Sequence, residues 1–359
     1  MNLRERLKVY EDLVNLNATS GHEKSVREYM RKEISKYTDE IIQDKLGSIF
    51  GVKRGSGKPL IMIAGHMDEV GAMVTKITNE GFIKMIPIGG IEPEVMVSQN
   101  VVIQTKTKEI RGVVGSIPPH MNRGVEDGKK ALSFDDLFVD VGADSKEHAI
   151  EMGIEIGQQI NFVNNYYITE DGKKIVSKAW DNRFGCGMAL EILKELQNID
   201  HRNVVIAGAT VQEEVGLRGA TTASQMVKPD LFIAIDVSPI GDFLKKDHPS
   251  AFGKLGQGFL ARFYDPRNIM QPKLLKYFER LAKENNIKMQ YFLSRGGTDA
   301  AAAQYAGDGT MATTIGLPGR YIHSSTSMVH IDDIEAVKQM VLALVKDFDE
   351  NRLMELKNE

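Results

Sequence analysis

Residues 60–71 read LIMIAGHMDEVG. Leu60 to Ala64 form an unbroken apolar run between Pro59 and Gly65, and the polar residues that follow are His66 and Asp68. A short run without polar alternation marks a strand buried on both faces, as in a parallel sheet covered by helices. Three later stretches repeat the pattern. VVIAGATVQ (204–212) leads to Glu213 and Glu214, LFIAI (231–235) to Asp236, and MATTIGLPGRYI (311–322) to His323. In open α/β sheets the carboxyl ends of the strands line one crevice, and ligands bind there. These loops are therefore expected to converge, and Asp181 in KAWDNRFG (178–185) stands where the next helix begins.

The rest of the chain fits around this core. Leu3, Leu7, Tyr10, Leu13 and Val14 have helical spacing, and Val26, Tyr29, Met30 and Ile34 mark a second helix after a break at Asn17 to Gly21. From about Gly71 to about Ile168 short alternating runs are punctuated by turns, which reads as a small antiparallel β unit, barrel or sandwich. After Ile175 the α/β rhythm returns, with helices near 184–196, 217–225 and 274–284 and strands near 204–211, 231–235, 289–293 and 311–317. Asp332 with Glu335 suggests a capping box for one long last helix from Ile334 to about Leu356. The expected fold is an α/β domain made of residues 1–70 and 169–359, with a β domain, 71–168, inserted after the strand that ends in His66.

Composition narrows the function classes. Net charge is −4 with no basic cluster, so neither nucleic acid nor an anionic membrane is an expected partner. No apolar run reaches the ~18 residues that span a bilayer, and the charged amino terminus does not read as a signal peptide. The single Cys186 cannot form an internal disulfide and reads as a small packing residue. A cytoplasmic location is the expectation.

Each polar residue named above has a bland reading when taken alone. Asp181 suits a helix cap, a lone histidine is more often structural, and adjacent glutamates are usually solvated. Taken together these readings conflict. Several carboxylates brought to one place repel one another and raise each other's pKa, and the loops hold no matching cluster of Lys or Arg. Divalent cations resolve the conflict. Two neutral histidines, His66 and His323, with carboxylates Asp181, Glu214 and Asp236 carry a charge of −3 against +4 for two ions, which favours a bound hydroxide. Mixed imidazole and carboxylate ligation suits zinc, cobalt or manganese better than magnesium, and two ions of zinc or cobalt are the expectation. A hydrolase of this kind needs a non-ligand general base, and Glu213 beside Glu214 is the candidate.

In order, NATSGHE (17–23), AGHMDEVG (64–71), VSKAWDNRFG (176–185), VQEEVGLRGA (211–220), DLFIAIDVSP (230–239), RGGTDAAAA (295–303) and RYIHS (320–324) resemble the dinuclear-metal aminopeptidases that assemble into tetrahedral particles, most closely their glutamyl aminopeptidase branch. The resemblance spans essentially the whole chain. It implies a mixed-sheet, zinc-peptidase-like catalytic domain and a PDZ-like inserted domain that makes dimer contacts, six dimers forming a hollow dodecamer. It also implies one ion on His66 and Asp236, a second on Glu214 and His323, Asp181 bridging them, Glu213 as base, and Asp68 orienting His66. The implied substrates are short peptides with acidic amino-terminal residues, for which Arg295, Arg320, Lys245 and Lys246 are candidate cations. Leucyl, lysyl or broad preference within the same family is the alternative. A glycosidase would leave the histidines unused and finds one tryptophan, Trp180, for a sugar platform. A non-catalytic metal scaffold has no use for a spare base.

Overall fold

The computed structural model describes residues 3–38, 40–121, 131–245, 248–250 and 252–357, and its centre is a mixed β-sheet. Four inner strands, Val204–Thr210, Leu60–His66, Leu231–Pro239 and Met311–Gly319, lie parallel in that spatial order. Leu60–His66 is paired on both sides, and its side chains alternate between two apolar cores: Ile61 and Ile63 join one, Met62 and Ala64 the other. Both faces being dry, an unbroken apolar run encodes the strand, each buried Ile or Met contributing about 1.5–3 kcal/mol. From Leu60–His66 the chain first adds a neighbour on one side and then on the other, so a topological switch point falls beside His66.

Helices cover both faces. Leu3–Asn15, Lys24–Ile34, Trp180–Glu195, Pro272–Glu284 and Ile331–Asp347 pack on one, Arg218–Val227 and Asp299–Ala303 on the other. The Trp180–Glu195 helix comes unusually close to the sheet because two glycines meet. A Cβ on Gly65 would lie 2.4 Å from the Gly185 backbone, and one on Gly185 2.4 Å from the Ile235 carbonyl. That contact brings the start of the helix, with Asp181, over the carboxyl ends of two inner strands.

Two flanking strands, Ile49–Arg54 and Phe259–Asp265, run antiparallel to their inner neighbours. The apolar pattern does not announce them, because Gly51 and Lys53 interrupt the first and Arg262 the second. The last helix also departs from expectation. It is two helices, Ile331–Asp347 and Glu350–Lys357. His330 rather than Asp332 caps the first, its ring accepting the Asp332 N–H. Phe348 leaves helical geometry (φ −80°, ψ 97°) to bury its ring, and Asp349 starts the second helix by accepting the Arg352 N–H at 3.0 Å.

Between the first parallel strand and the Trp180–Glu195 helix lies a closed antiparallel barrel. Its strands are ordered Gly71–Ile77, Ile83–Ile88, Val139–Asp140, Glu109–Val114, Asn100–Gln104 and Gln159–Phe162. Of the two forms open to the β segment, it is the barrel, with an apolar core of its own that includes Ala72, Val74, Ile83, Val101 and Ile160. Among the described residues no helix is long and apolar enough to cross a membrane.

Candidate metal centre

The strand ends converge as expected. His66 closes its strand, and its Nδ1–H donates to the Asp68 backbone carbonyl at 3.1 Å, which leaves Nε2 free to face the crevice. That Nε2 lies 3.2 Å from Asp181 Oδ1, 3.8 Å from Glu213 Oε2 and 3.9 Å from Asp236 Oδ1. His323 arrives from the opposite side, its Nε2 3.4 Å from Asp181 Oδ2 and 3.6 Å from Glu214 Oε2. Its Nδ1–H donates to the Gly90 carbonyl of a barrel loop at 2.6 Å. Asp181 thus offers one oxygen to each imidazole.

The run around Asp181 is a set of anchors. Asp181 (φ −84°, ψ 102°) and Asn182 (φ −128°, ψ 42°) depart from helical geometry, and it is the Asn182 side chain, not that of Asp181, that accepts a backbone N–H at the start of the regular helix. Asn182 clamps the turn instead. Its Nδ2 donates to the Ile235 carbonyl, one residue before Asp236, and its Oδ1 accepts the Gly185 N–H, both at 2.8 Å. Arg183, fully buried, donates to the carbonyls of Met67, Leu13 and Leu16. Lys178 is equally buried, and its Nζ meets both oxygens of Glu69 at 2.8 Å. Such a pair is costly to break, because the partner left behind is an unpaired buried charge.

Asp68 fixes the opposite wall. It accepts the backbone N–H groups of Glu213 at 3.0 Å and Glu214 at 3.1 Å and the Ser20 hydroxyl at 2.6 Å, and its Oδ1 lies 3.5 Å from His66 Nδ1. Burial pushes its pKa up, but His66 and these donors outweigh that and lower it, so Asp68 stays an anion. Glu23 accepts the Gln212 N–H at 3.1 Å. The NATSGHE segment therefore acts by holding the glutamate turn in place.

The centre is overloaded with negative charge when only protons balance it. Burial, reinforced by neighbouring carboxylates, pushes Glu213 well above the usual range, Glu214 up to about 8 and Asp236 up to about 7. For Asp181 burial works the same way, but hydrogen bonds from His323 and His66 prevail and hold it low. Burial opposes charge on both imidazoles, yet the carboxylates around them raise His66 well above its ordinary value and His323 to about 10. Glu214 Oε1 is buried without a hydrogen-bond partner. Donor atoms of His66, Glu213 and Asp236, and of His66, Asp181 and Glu214, each gather within 4.8 Å of one another. An orphaned carboxylate oxygen among crowded imidazoles and carboxylates fits divalent cations. Glu213, assigned in sequence as a base, stands close enough to enter the first group.

These residues line a cavity of about 760 Å³ whose far wall carries Arg262, Arg267 and Arg295. Of the expected substrate cations, Arg295 is there, exposed to solvent. Arg320 does not line the cavity: its Nε and Nη2 are committed to Asp242 at 2.6 and 2.8 Å. Lys245 is exposed and also off the wall, and Lys246 lies outside the described residues. Sequence reasoning missed Arg262, nine-tenths and more buried on the unannounced flanking strand, and Asp299, buried with Oδ2 bound to the Thr210 hydroxyl. A lone arginine inside an apolar run, FLARFYD, was the available signal for the first.

Parallel strands that deliver two imidazoles and several carboxylates to one cavity define a metal-dependent α/β hydrolase. A family model described as M42 glutamyl aminopeptidase matches residues 47–340, and the chain belongs to that family of metal-dependent, peptide-hydrolysing aminopeptidases. It is 38% identical to the glutamyl aminopeptidase of Lactococcus lactis over the full length of both chains. It is 32% identical to the lysyl aminopeptidase of Pyrococcus furiosus, covering 93% of this chain and 95% of that one. Among solved structures it resembles a TET aminopeptidase from a marine-sediment thaumarchaeon (TM-score 0.94, 32% identity, 98% of this chain and 100% of that one). It also resembles the TET1 peptidase of Pyrococcus horikoshii, which can assemble into a tetrahedron or a large octahedral shell (TM-score 0.86, 30% identity, 96% and 100%).

Proposed function

We propose that this chain removes single residues from the free amino terminus of peptides, with acidic residues preferred, using two divalent ions, zinc or cobalt. The observation that carries the two-ion reading is the placement of Asp181, with Oδ1 3.2 Å from one imidazole nitrogen and Oδ2 3.4 Å from the other. His66 and Asp236 would hold one ion and Glu214 and His323 the other, with Asp181 placed between the two imidazoles. Bound there, the ions supply Lewis-acid polarisation of the scissile carbonyl and an acidified water. Glu213, which lines the cavity beside Glu214, would take the proton from the attacking water and hand it to the leaving amine. Asp68 keeps His66 oriented and the Glu213–Glu214 backbone fixed.

The acidic preference rests on the arginines of the cavity wall, since relatives of similar identity act on glutamyl and on lysyl termini. Residues 71–168 form the unit through which copies pair, the pairs building a dodecamer; Ile117 and Met121, exposed on this unit, support a contact there, as do the assemblies of the TET relatives. A cytoplasmic location accords with the free, buried Cys186.

Glu213→Gln is expected to keep its metal content and lose about 10²–10⁴-fold in kcat. Near-full turnover by that variant ends the assignment of the base. Chelator-sensitive cleavage of a free-amino dipeptide, absent on its N-acetylated form, is the expected signature of the reaction.

A further inference from the structure

The strands Leu231–Pro239 and Met311–Gly319 pair along their full length, and the pairing continues past their ends. The Ile240 N–H donates to the Gly319 carbonyl at 3.0 Å. Beyond that point side chains take over. Arg320 donates from Nε to Asp242 Oδ1 at 2.6 Å and from Nη2 to Oδ2 at 2.8 Å. The rings of Phe243 and Tyr321 lie 5.1 Å apart. Asp242 also accepts the Leu255 N–H at 3.2 Å, and its side chain is 6% exposed. The pair is thus a two-pronged clasp whose acid end is fixed and shielded from water. An exposed ion pair contributes little, but removing one partner here strands a shielded charge.

The clasp stands at the foot of the loop that presents His323. Arg320 and Met328 exchange both backbone hydrogen bonds at 3.0 Å and close that loop. Between them Tyr321 (φ 60°) and His323 (φ 59°) are left-handed, a geometry that residues with a Cβ keep only where the surroundings impose it. The Gly90 carbonyl steers the ring, and the clasp holds the turn beneath it. Asp242 follows Asp236 on the same run of chain, so the His323 loop is tied to the strand that carries Asp236. Neither Asp242 nor Arg320 lines the cavity. Resting on the two-ion reading above, we infer that Asp242 is a positioning residue of the metal centre. Through Arg320 it fixes the turn that presents His323, and so sets how tightly the His323 side holds its ion.

The test is zinc affinity, measured on the full-length protein by competition with a chromophoric chelator. Asp242→Ala is expected to weaken the more exchangeable ion by about 10–100-fold and leave the tighter one unchanged. Peptide hydrolysis should fall at limiting zinc and return to within about threefold of wild type at saturating zinc, a recovery that a merely structural lesion does not allow. Arg320→Met should match it, and the double variant should be no worse than either, because the two side chains act as one unit. Asp242→Asn keeps the shape and carries the test if the alanine variant does not fold. Unchanged zinc affinity, or equal weakening of both ions, overturns the inference. So does a rise in KM at saturating zinc confined to the Arg320 variant, which would make Arg320 a substrate contact. Amide hydrogen exchange of the metal-free protein separates this from failure of the two-ion reading. Even if wild type binds one ion or none, exchange about tenfold faster at residues 320–328 of the Asp242 variant, with Met311–Gly319 unchanged, supports the role. Identical exchange ends it.

Discussion

The two imidazoles of the centre are held in opposite ways. His66 ends a strand paired on both sides, is 2% exposed, and gives its Nδ1–H to a carbonyl two residues away. His323 lies on a loop, is 36% exposed, and has left-handed backbone geometry (φ 59°). Its Nδ1–H goes to Gly90, 233 residues away on a different folding unit. One half of the centre is therefore preorganised by the sheet, while the other is completed only when the barrel docks. On the two-ion reading, an ion on the His66 side is expected to be the tighter and one on the His323 side the more exchangeable.

That contrast can be broken most severely at His66. His66→Ala is expected to lower kcat/KM by 10³-fold or more and to drop metal content below one ion per chain, measured by elemental analysis. A variant that keeps both ions would erase the distinction between the halves. His323→Ala is expected to do less: one ion retained, activity down about 10²-fold, and the melting temperature of the metal-free protein nearly unchanged. Loss of both ions together would mean that the halves act as a unit.

A gentler probe acts through the barrel. Gly89 has φ +82°, and a Cβ there would stand 2.8 Å from Val70 Cγ1 and 3.2 Å from Glu214 Cβ. Gly89→Ala should weaken only the exchangeable ion, by about 10–100-fold in a chelator competition, with the tight ion untouched. Equal weakening of both would show that the barrel loop supports the whole centre.

The smallest effect expected is a pH-dependent control outside both halves. Burial pushes Asp333 up to about 6 although the N–H groups of Gly256 and Gly258 donate to it at 2.7 Å. A carboxyl whose folded pKa lies above its unfolded value contributes stability in full below about pH 4 and loses it as pH rises through about 6. Asp333→Asn cannot ionise, so its stability relative to wild type should improve by about 2–3 kcal/mol between pH 4 and pH 7. A difference that stays flat in denaturant titrations would show that Asp333 ionises freely.

How much of this was legible in sequence depended on whether a residue's role is written in its neighbours. The inner strands were, because burial on both faces leaves nothing but apolar residues in LIMIA and LFIAI, and the ligand at each strand end follows by position. Phe259–Asp265 was not, since Arg262 breaks its apolar run for the sake of the cavity. Arg320 looked available because its partner, Asp242, is 78 residues away. The last helix read as continuous because nothing in its periodicity reveals that Phe348 leaves the helix to reach the core. The barrel's share in holding His323 was invisible for the same reason: a backbone carbonyl carries no residue identity.

The position of Leu60–His66 between two later strands also governs how the chain can be made. This strand leaves the ribosome with neither parallel neighbour yet synthesised, since Val204–Thr210 and Leu231–Pro239 follow only after the whole barrel segment. At about 5–20 residues per second, that wait lasts on the order of ten seconds. The barrel is contiguous and has its own core, so it can close in the meantime. LIMIA, the most apolar strand of the amino-terminal part, stays unpaired until then, which makes it the segment of the nascent chain most in need of a chaperone.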